Sequence, residues 1–240
     1  MTDVQVVSWG EIDGQEITFP MEVTDFNAAT LMWTVPAAAA AALLPGAAFE
    51  IAESAPGVTQ FVMAACDYVE NPWGDYDELN LGFLVRPVAG PDDRVGSFVY
   101  RMPVNQAFTC EAGNRVMGFP KTVEGIDVTY AGAPGDGTAT FRLTFEGQHA
   151  FTLTVPRAAA LGETTRIETE SFSYLDGEAH ATPLSMDMGT GFVDPADVVL
   201  ELGTGRVAVE LASLGLPATA PDMCTWGEGL SATFQLGQPA

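Results

Sequence analysis

The chain has 240 residues with 32 acidic and 9 basic side chains, and its formal charge of −23 repels nucleic-acid phosphates and anionic membrane surfaces. Only 17% of residues are charged and 47% are hydrophobic, so this is a core-forming chain and not a disordered acidic tail.

Taken in chain order, Met1 to Gln5 have neither the basic start nor the apolar stretch of a secretory signal, which makes the cytoplasm the expected compartment. The longest apolar run, Val35 to Leu44, is too short to span a bilayer and is stopped by Pro45 and Gly46. With proline in its first turn, Pro36 to Leu44 reads as a short buried helix. Phe61 to Cys66 and Leu79 to Val85 are apolar on both faces, as central strands covered on each side would be. Asn105 to Met117 reads as a second helix. Ala139, Phe141, Leu143 and Phe145 alternate with polar residues, and Phe151, Leu153 and Val155 continue the pattern after a turn at Gly147, which predicts a hairpin with one wet face. Arg206 to Leu214, closed by Gly215, reads as a third helix. Turn signals such as Asp13-Gly14, Pro56-Gly57 and Asp176-Gly177 punctuate the rest. The pattern predicts one domain over 1–240, mostly antiparallel β (α+β), built as a closed or near-closed barrel with a few helices packed on it.

The chemistry centres on lysine usage. Lys121 is the one lysine, and eight arginines supply the remaining positive charge. Unlike a guanidinium, an amine can lose its proton and attack a carbonyl. Two routes make a lysine nucleophilic: desolvation, and a neighbouring cation. Val116, Met117, Phe119 and Pro120 are placed to exclude water, and Arg115 would supply the cation by turning inward. A second candidate is Gly74-Asp75-Tyr76-Asp77-Glu78, just before the apolar strand. Glu78 there can donate or accept a proton, while Tyr76, two residues earlier on the same side, can hydrogen-bond a substrate oxygen. Trp73, in the loop before Glu78, is the tryptophan best placed for substrate contact.

Other features carry less. His149 and His180 are too few for a triad or a zinc site, although His180 beside Glu178 can serve as a proton donor. Gly189-Thr190-Gly191 and Gly203-Thr204-Gly205 lack the context of phosphate loops and read as turns. Cys66, Cys110 and Cys224 are odd in number and sit among apolar neighbours, as buried free thiols do. No metal site or cofactor is expected.

Together, Gly74-Asp75-Tyr76-Asp77-Glu78 and the run Gly113-Asn114-Arg115-Val116-Met117-Gly118-Phe119-Pro120-Lys121 resemble the signature of the acetoacetate decarboxylase family, in the same order. The resemblance implies that Lys121 forms a Schiff base with a small keto acid or related carbonyl compound and that Glu78 is the active-site carboxylate. An amine activated in this way is the established feature of that family's namesake. The chain departs from the pattern in having Gly113-Asn114-Arg115 for Gly-Arg-Glu. It also has Phe26 and Phe61 at positions aligned with an earlier arginine and glutamate, so decarboxylation is one outcome beside aldol or dehydration chemistry. On this reading Tyr76, Arg115, Met117, Phe119, Phe61 and Trp73 contact substrate. No nucleic acid or membrane is a partner, and the resemblance implies a homo-oligomer. The rival reading is a lipocalin-like barrel that binds an apolar carbonyl compound without turning it over.

Overall fold

The computed structural model describes residues 6–91, 93–160 and 164–240. Met1–Gln5, on which the expected compartment was argued, lie outside the described residues.

A hairpin comes first, β1 (Val7–Ile12) and β2 (Gln15–Phe19), turning at Asp13 and Gly14, where φ is 50° and 81°. The long strand β3 (Met21–Pro36) leads into α1 (Ala37–Leu43), two short strands, β4 (Phe49–Ile51) and β5 (Glu53–Ala55), and then β6 (Val58–Glu70), β7 (Tyr76–Pro87) and β8 (Gly96–Val104). The expected second helix is two pieces, α2 (Ala107–Ala112) and a π-helical turn over Gly113–Met117, which ends at Gly118 with φ 65°. After β9 (Lys121–Val123) come β10 (Gly125–Ala133), β11 (Asp136–Phe145) and β12 (Gln148–Pro156). The predicted hairpin is β11–β12. Next are β13 (Thr165–Leu175), β14 (Glu178–Met188), β15 (Thr190–Phe192) and β16 (Val199–Leu202). Helix α3 (Arg206–Ser213), β17 (Met223–Phe234) and β18 (Gln238–Pro239) finish the fold. Thr190 and Gly191, expected in a turn, belong to β15, which pairs with β17.

Seven strands hydrogen-bond in the order β17-β3-β6-β7-β8-β13-β14, and β14 pairs back to β17, so the sheet closes into a barrel. All of these pairings are antiparallel except β8 with β13. A separate four-stranded sheet, β10-β11-β12-β16, covers one side.

This arrangement explains why β6 and β7 are apolar on both faces. Because side chains alternate along a strand, Phe61 and Met63 of β6 and Leu81 and Phe83 of β7 point outward. They pack with Phe141, Leu143, Phe151 and Leu153 of the covering sheet in one buried cluster. The residues between them face the barrel interior. A second buried cluster joins Ile17 and Phe19 of the hairpin to Trp73, Tyr76, Val116 and Met117, closing one end of the barrel. Lys121 enters at that end, held beside Met102 where β9 runs parallel to β8.

Candidate active site

The barrel interior holds a cavity of about 540 Å³. Every barrel strand contributes to it. The strand register stacks the lining side chains in layers: Cys66 of β6 pairs with Glu78 of β7, Ala64 with Asn80, and Val62 with Gly82. Seven of the nine methionines line the wall, namely Met21, Met32, Met102, Met117, Met186, Met188 and Met223.

At the closed end, Lys121 Nζ lies 2.6 Å from Glu78 Oε2, and both residues are buried, at 6% and 4% exposure. The amine also donates to Thr109 Oγ1 at 3.2 Å and sits 5.1 Å from the centre of the Tyr76 ring. Glu78 Oε1 accepts from Asn80 Nδ2 at 3.0 Å and from the Tyr68 hydroxyl at 3.4 Å. Oε2 faces Nζ as its ion-pair partner and has no further hydrogen-bond partner among the described residues. Among the described residues lining the cavity, Lys121 is the one basic side chain and Glu78 the one acidic side chain.

The local sequence builds this pair. Gly113 lies under the lysine stem, where a Cβ would stand 2.7 Å from both Cδ and Cε of Lys121. The backbone of Gly113 is ordinary right-handed helix, φ −60°, so the glycine is needed for space and not for conformation. Asn114 then clamps the Lys121 backbone from both sides: its Oδ1 accepts from the Lys121 amide at 2.8 Å, and its Nδ2 donates to the Lys121 carbonyl at 3.1 Å. Gly118 turns the chain where a Cβ would strike the Tyr174 carbonyl.

Burial, reinforced by the Glu78 charge, pushes the Tyr68 and Tyr76 hydroxyls well above their ordinary range, so both remain proton-bearing. Burial does the same to Cys66, again with Glu78 as the next cause, leaving an unreactive thiol against the carboxylate. Cys224 is buried as expected, whereas Cys110 is half-buried.

Of the expected residues, the cavity brings together Lys121, Glu78, Tyr76, Trp73, Met117 and Phe119. Several expectations require correction. Phe61 has no exposure and packs outside the barrel against Trp33 and Phe83, because its odd position on β6 puts it on the opposite face from Val62 and Ala64. Arg115 does not turn inward: it is half-exposed, pairs with Glu111 at 2.8 Å and lies over Trp9 at 5.8 Å. Among the described residues no second cation therefore stands beside the amine, and dry surroundings with a carboxylate partner are what Lys121 has instead. Pro120, expected to shield the amine, is exposed. Glu78 lies inside β7, not in the loop before it. His180 and His149 lie away from the cavity lining. Phe26 does line the cavity, its ring tilted against Tyr68 with the centroids 5.5 Å apart. Sequence reasoning missed Thr109, Asn80, Tyr68, Cys66 and Asn114. Parity was a usable signal for Asn80, two residues beyond Glu78, and for Cys66 and Tyr68 once the β6–β7 register is known.

The sequence matches the acetoacetate decarboxylase (ADC) family over residues 12–216. The chain belongs to that family. Solved structures share the fold at low identity. The acetoacetate decarboxylase from Legionella pneumophila is 14% identical, with a TM-score of 0.65 over 92% of this chain and 87% of that one. An acetoacetate decarboxylase-like enzyme from Sphingomonas wittichii RW1 is also 14% identical, with a TM-score of 0.56 over 90% and 91%. The enduracididine biosynthesis enzyme MppR is 16% identical, with a TM-score of 0.57 over 92% and 87%. No curated protein matches the chain in sequence. In this chain the two segments around Glu78 and Lys121 meet in the cavity. No helix among the described residues is long and apolar enough to cross a membrane.

Proposed function

We propose that this chain is a cofactor-independent, Schiff-base-forming lyase in which Lys121 condenses with a carbonyl compound and Glu78 moves the protons. The observation that carries this reading is the 2.6 Å contact between Nζ and Oε2 at the closed end of an apolar cavity. Both groups are buried and face each other directly, so a proton can pass between them without water. Passing one proton from Nζ to Oε2 leaves a free amine and a carboxylic acid, the two species that imine chemistry needs.

In the first step the amine lone pair adds to the carbonyl carbon, forming a carbinolamine. Glu78 returns its proton to the carbinolamine oxygen, which departs as water and leaves a protonated imine. The C=N⁺ group then draws electrons from the bond one carbon away, and loss of CO₂, retro-aldol cleavage or dehydration follows according to which bond lies parallel to the π system. Tyr68 and Asn80 hold Oε1 so that Oε2 stays aimed at the nitrogen. Tyr76 and Trp73 wall the site. Membership in the decarboxylase family and the fold shared with MppR support lyase chemistry of this kind.

The test is reductive trapping. Incubation with a ketone and borohydride should add the mass of the ketone, less its oxygen, irreversibly to the protein, and Lys121→Arg should abolish the addition. Since the chain has one lysine, the terminal amine is the sole competing site and is separated by peptide mapping. A folded protein that gives no Lys121 adduct with any ketone or keto acid refutes the proposal.

A further inference from the structure

Exposure changes systematically along the cavity. Cys66, Glu78 and Lys121 are buried, whereas Met32, Val62, Leu84 and Ser97 are partly exposed and Ile167 is 41% exposed. The reacting pair therefore sits at the floor and the opening lies at the far end of the same strands. From Glu78 to Leu84 along β7 is six residues, roughly 20 Å of strand, or roughly 15 Å along the axis of a barrel with ordinary tilt. The passage between is kept open by small side chains, Ala28, Ala64 and Gly82. Seven methionines stand in its wall, and their side chains adapt to irregular apolar shapes.

The charges on this path are equally informative. Once Lys121 forms a protonated imine, its single positive charge is balanced by Glu78, and no other basic side chain among the described residues lines the cavity. Seven of the eight arginines are paired with carboxylates elsewhere, among them Arg101 with Glu210 and Arg157 with Glu228. A substrate carboxylate would be an unpaired anion in dry surroundings close to Glu78, a costly arrangement. The net charge of −23 opposes its approach as well.

We infer that the site takes an uncharged carbonyl compound with an apolar chain of about ten carbons, its carbonyl at Lys121 and its chain running past Ala64 toward Leu84. This rests on the proposed imine chemistry and narrows it: the bond broken adjoins a neutral carbon centre, as in aldol cleavage or dehydration, and small anionic keto acids are poor substrates.

The experiment compares acetone, methyl heptyl ketone, pyruvate and acetoacetate in cyanoborohydride trapping, following the Lys121 adduct by mass. Neutral amine and ketone give imine and water, and hydride delivered to the imine carbon fixes a secondary amine. Half-maximal trapping with methyl heptyl ketone is expected at a concentration more than about tenfold below that for acetone, from the added methylene burial, and the two keto acids should trap most weakly. Trapping of pyruvate or acetoacetate at concentrations equal to or below that for the long ketone would overturn the inference while leaving the imine intact. Absence of any adduct would instead remove the underlying reaction. In a second arm, Ala64→Phe should raise the concentration needed for methyl heptyl ketone more than about tenfold. An unchanged value in the folded variant would show that the chain does not take this path. If the variant does not fold, the four-compound comparison on the native protein decides alone.

Discussion

Gly113→Ala is the sharpest test of how the sequence aims the amine. The helical backbone at Gly113 accepts alanine, and removing glycine from a helix gains up to about 1 kcal/mol. The new Cβ, however, would lie 2.7 Å from two carbons of the Lys121 stem. Carbon atoms in contact prefer about 3.5–4.0 Å, so the stem must retreat by about 1 Å. It cannot do so freely, because Asn114 holds its backbone and Thr109 and Glu78 hold its nitrogen. Crowding of this kind costs about 1–3 kcal/mol, so the net loss of stability should be about 2 kcal/mol or less. The effect on chemistry should be larger, since a displacement of about 1 Å at a reacting atom can cost about a hundredfold in rate. Thermal melts together with the rate of borohydride trapping separate the two effects. A variant that melts with the wild type and traps a ketone at the wild-type rate would refute the claim that the lysine stem crosses this glycine.

Four other substitutions probe further parts of the account. Lys121→Met leaves Glu78 buried without its partner and should cost about 3–5 kcal/mol in denaturant unfolding, whereas adding Glu78→Gln should recover most of that loss; a double variant no more stable than the single one contradicts the buried pairing. Glu78→Gln alone should slow trapping about a hundredfold or more, because the carboxylate that takes the amine proton is gone. Arg115→Ala should leave trapping within about twofold and stability within about 0.5 kcal/mol, as an exposed ion pair predicts, and a large loss of trapping would restore the inward cation. Burial, followed by the charge of Asp67, pushes the Asp77 carboxyl up to about 6. A carboxyl raised in this way favours the folded state most below its unfolded value, near 3.8, and that contribution is lost as pH rises through about 6. Asp77→Asn should therefore stabilise the protein by about 1–2 kcal/mol at neutral pH and much less in mild acid, which melts at the two pH values will show.

Much of this site was legible because its two charged residues are conspicuous against an apolar background. Lys121 stands alone as an amine, and Glu78 carries a charge on the inner face of a strand whose neighbours Leu79 and Leu81 are fully buried. Strand alternation correctly put Tyr76 on the same side as Glu78. Phe61 was reached by alignment with the family pattern and not by alternation, and a run that is apolar on both faces carries no parity signal that would have placed it outside the barrel. Arg115 was misplaced for a backbone reason: the π-helical turn rotates the positions after Gly113 relative to a regular helix, so spacing from Lys121 does not reveal direction. Thr109 and Asn114 are commonplace polar residues in a helical stretch, and their roles appear only once the chain folds back from Gly118 to Lys121. The closed barrel followed from turn spacing and alternating runs, but its closure depends on β14 meeting β17, where Leu184 pairs with Phe234 and Asp187 with Ser231, a contact distant in sequence with no local signature.

The central claim is that one nitrogen, Lys121 Nζ, becomes bonded to a ligand carbon. With a single lysine, labelling that nitrogen isotopically gives one side-chain signal, and a ketone labelled at its carbonyl carbon supplies the partner. Nuclear magnetic resonance of the mixture should show direct coupling between the two labels in the native protein and none in Lys121→Arg. A ligand that binds with its carbonyl carbon unchanged and uncoupled to the lysine nitrogen would contradict the account.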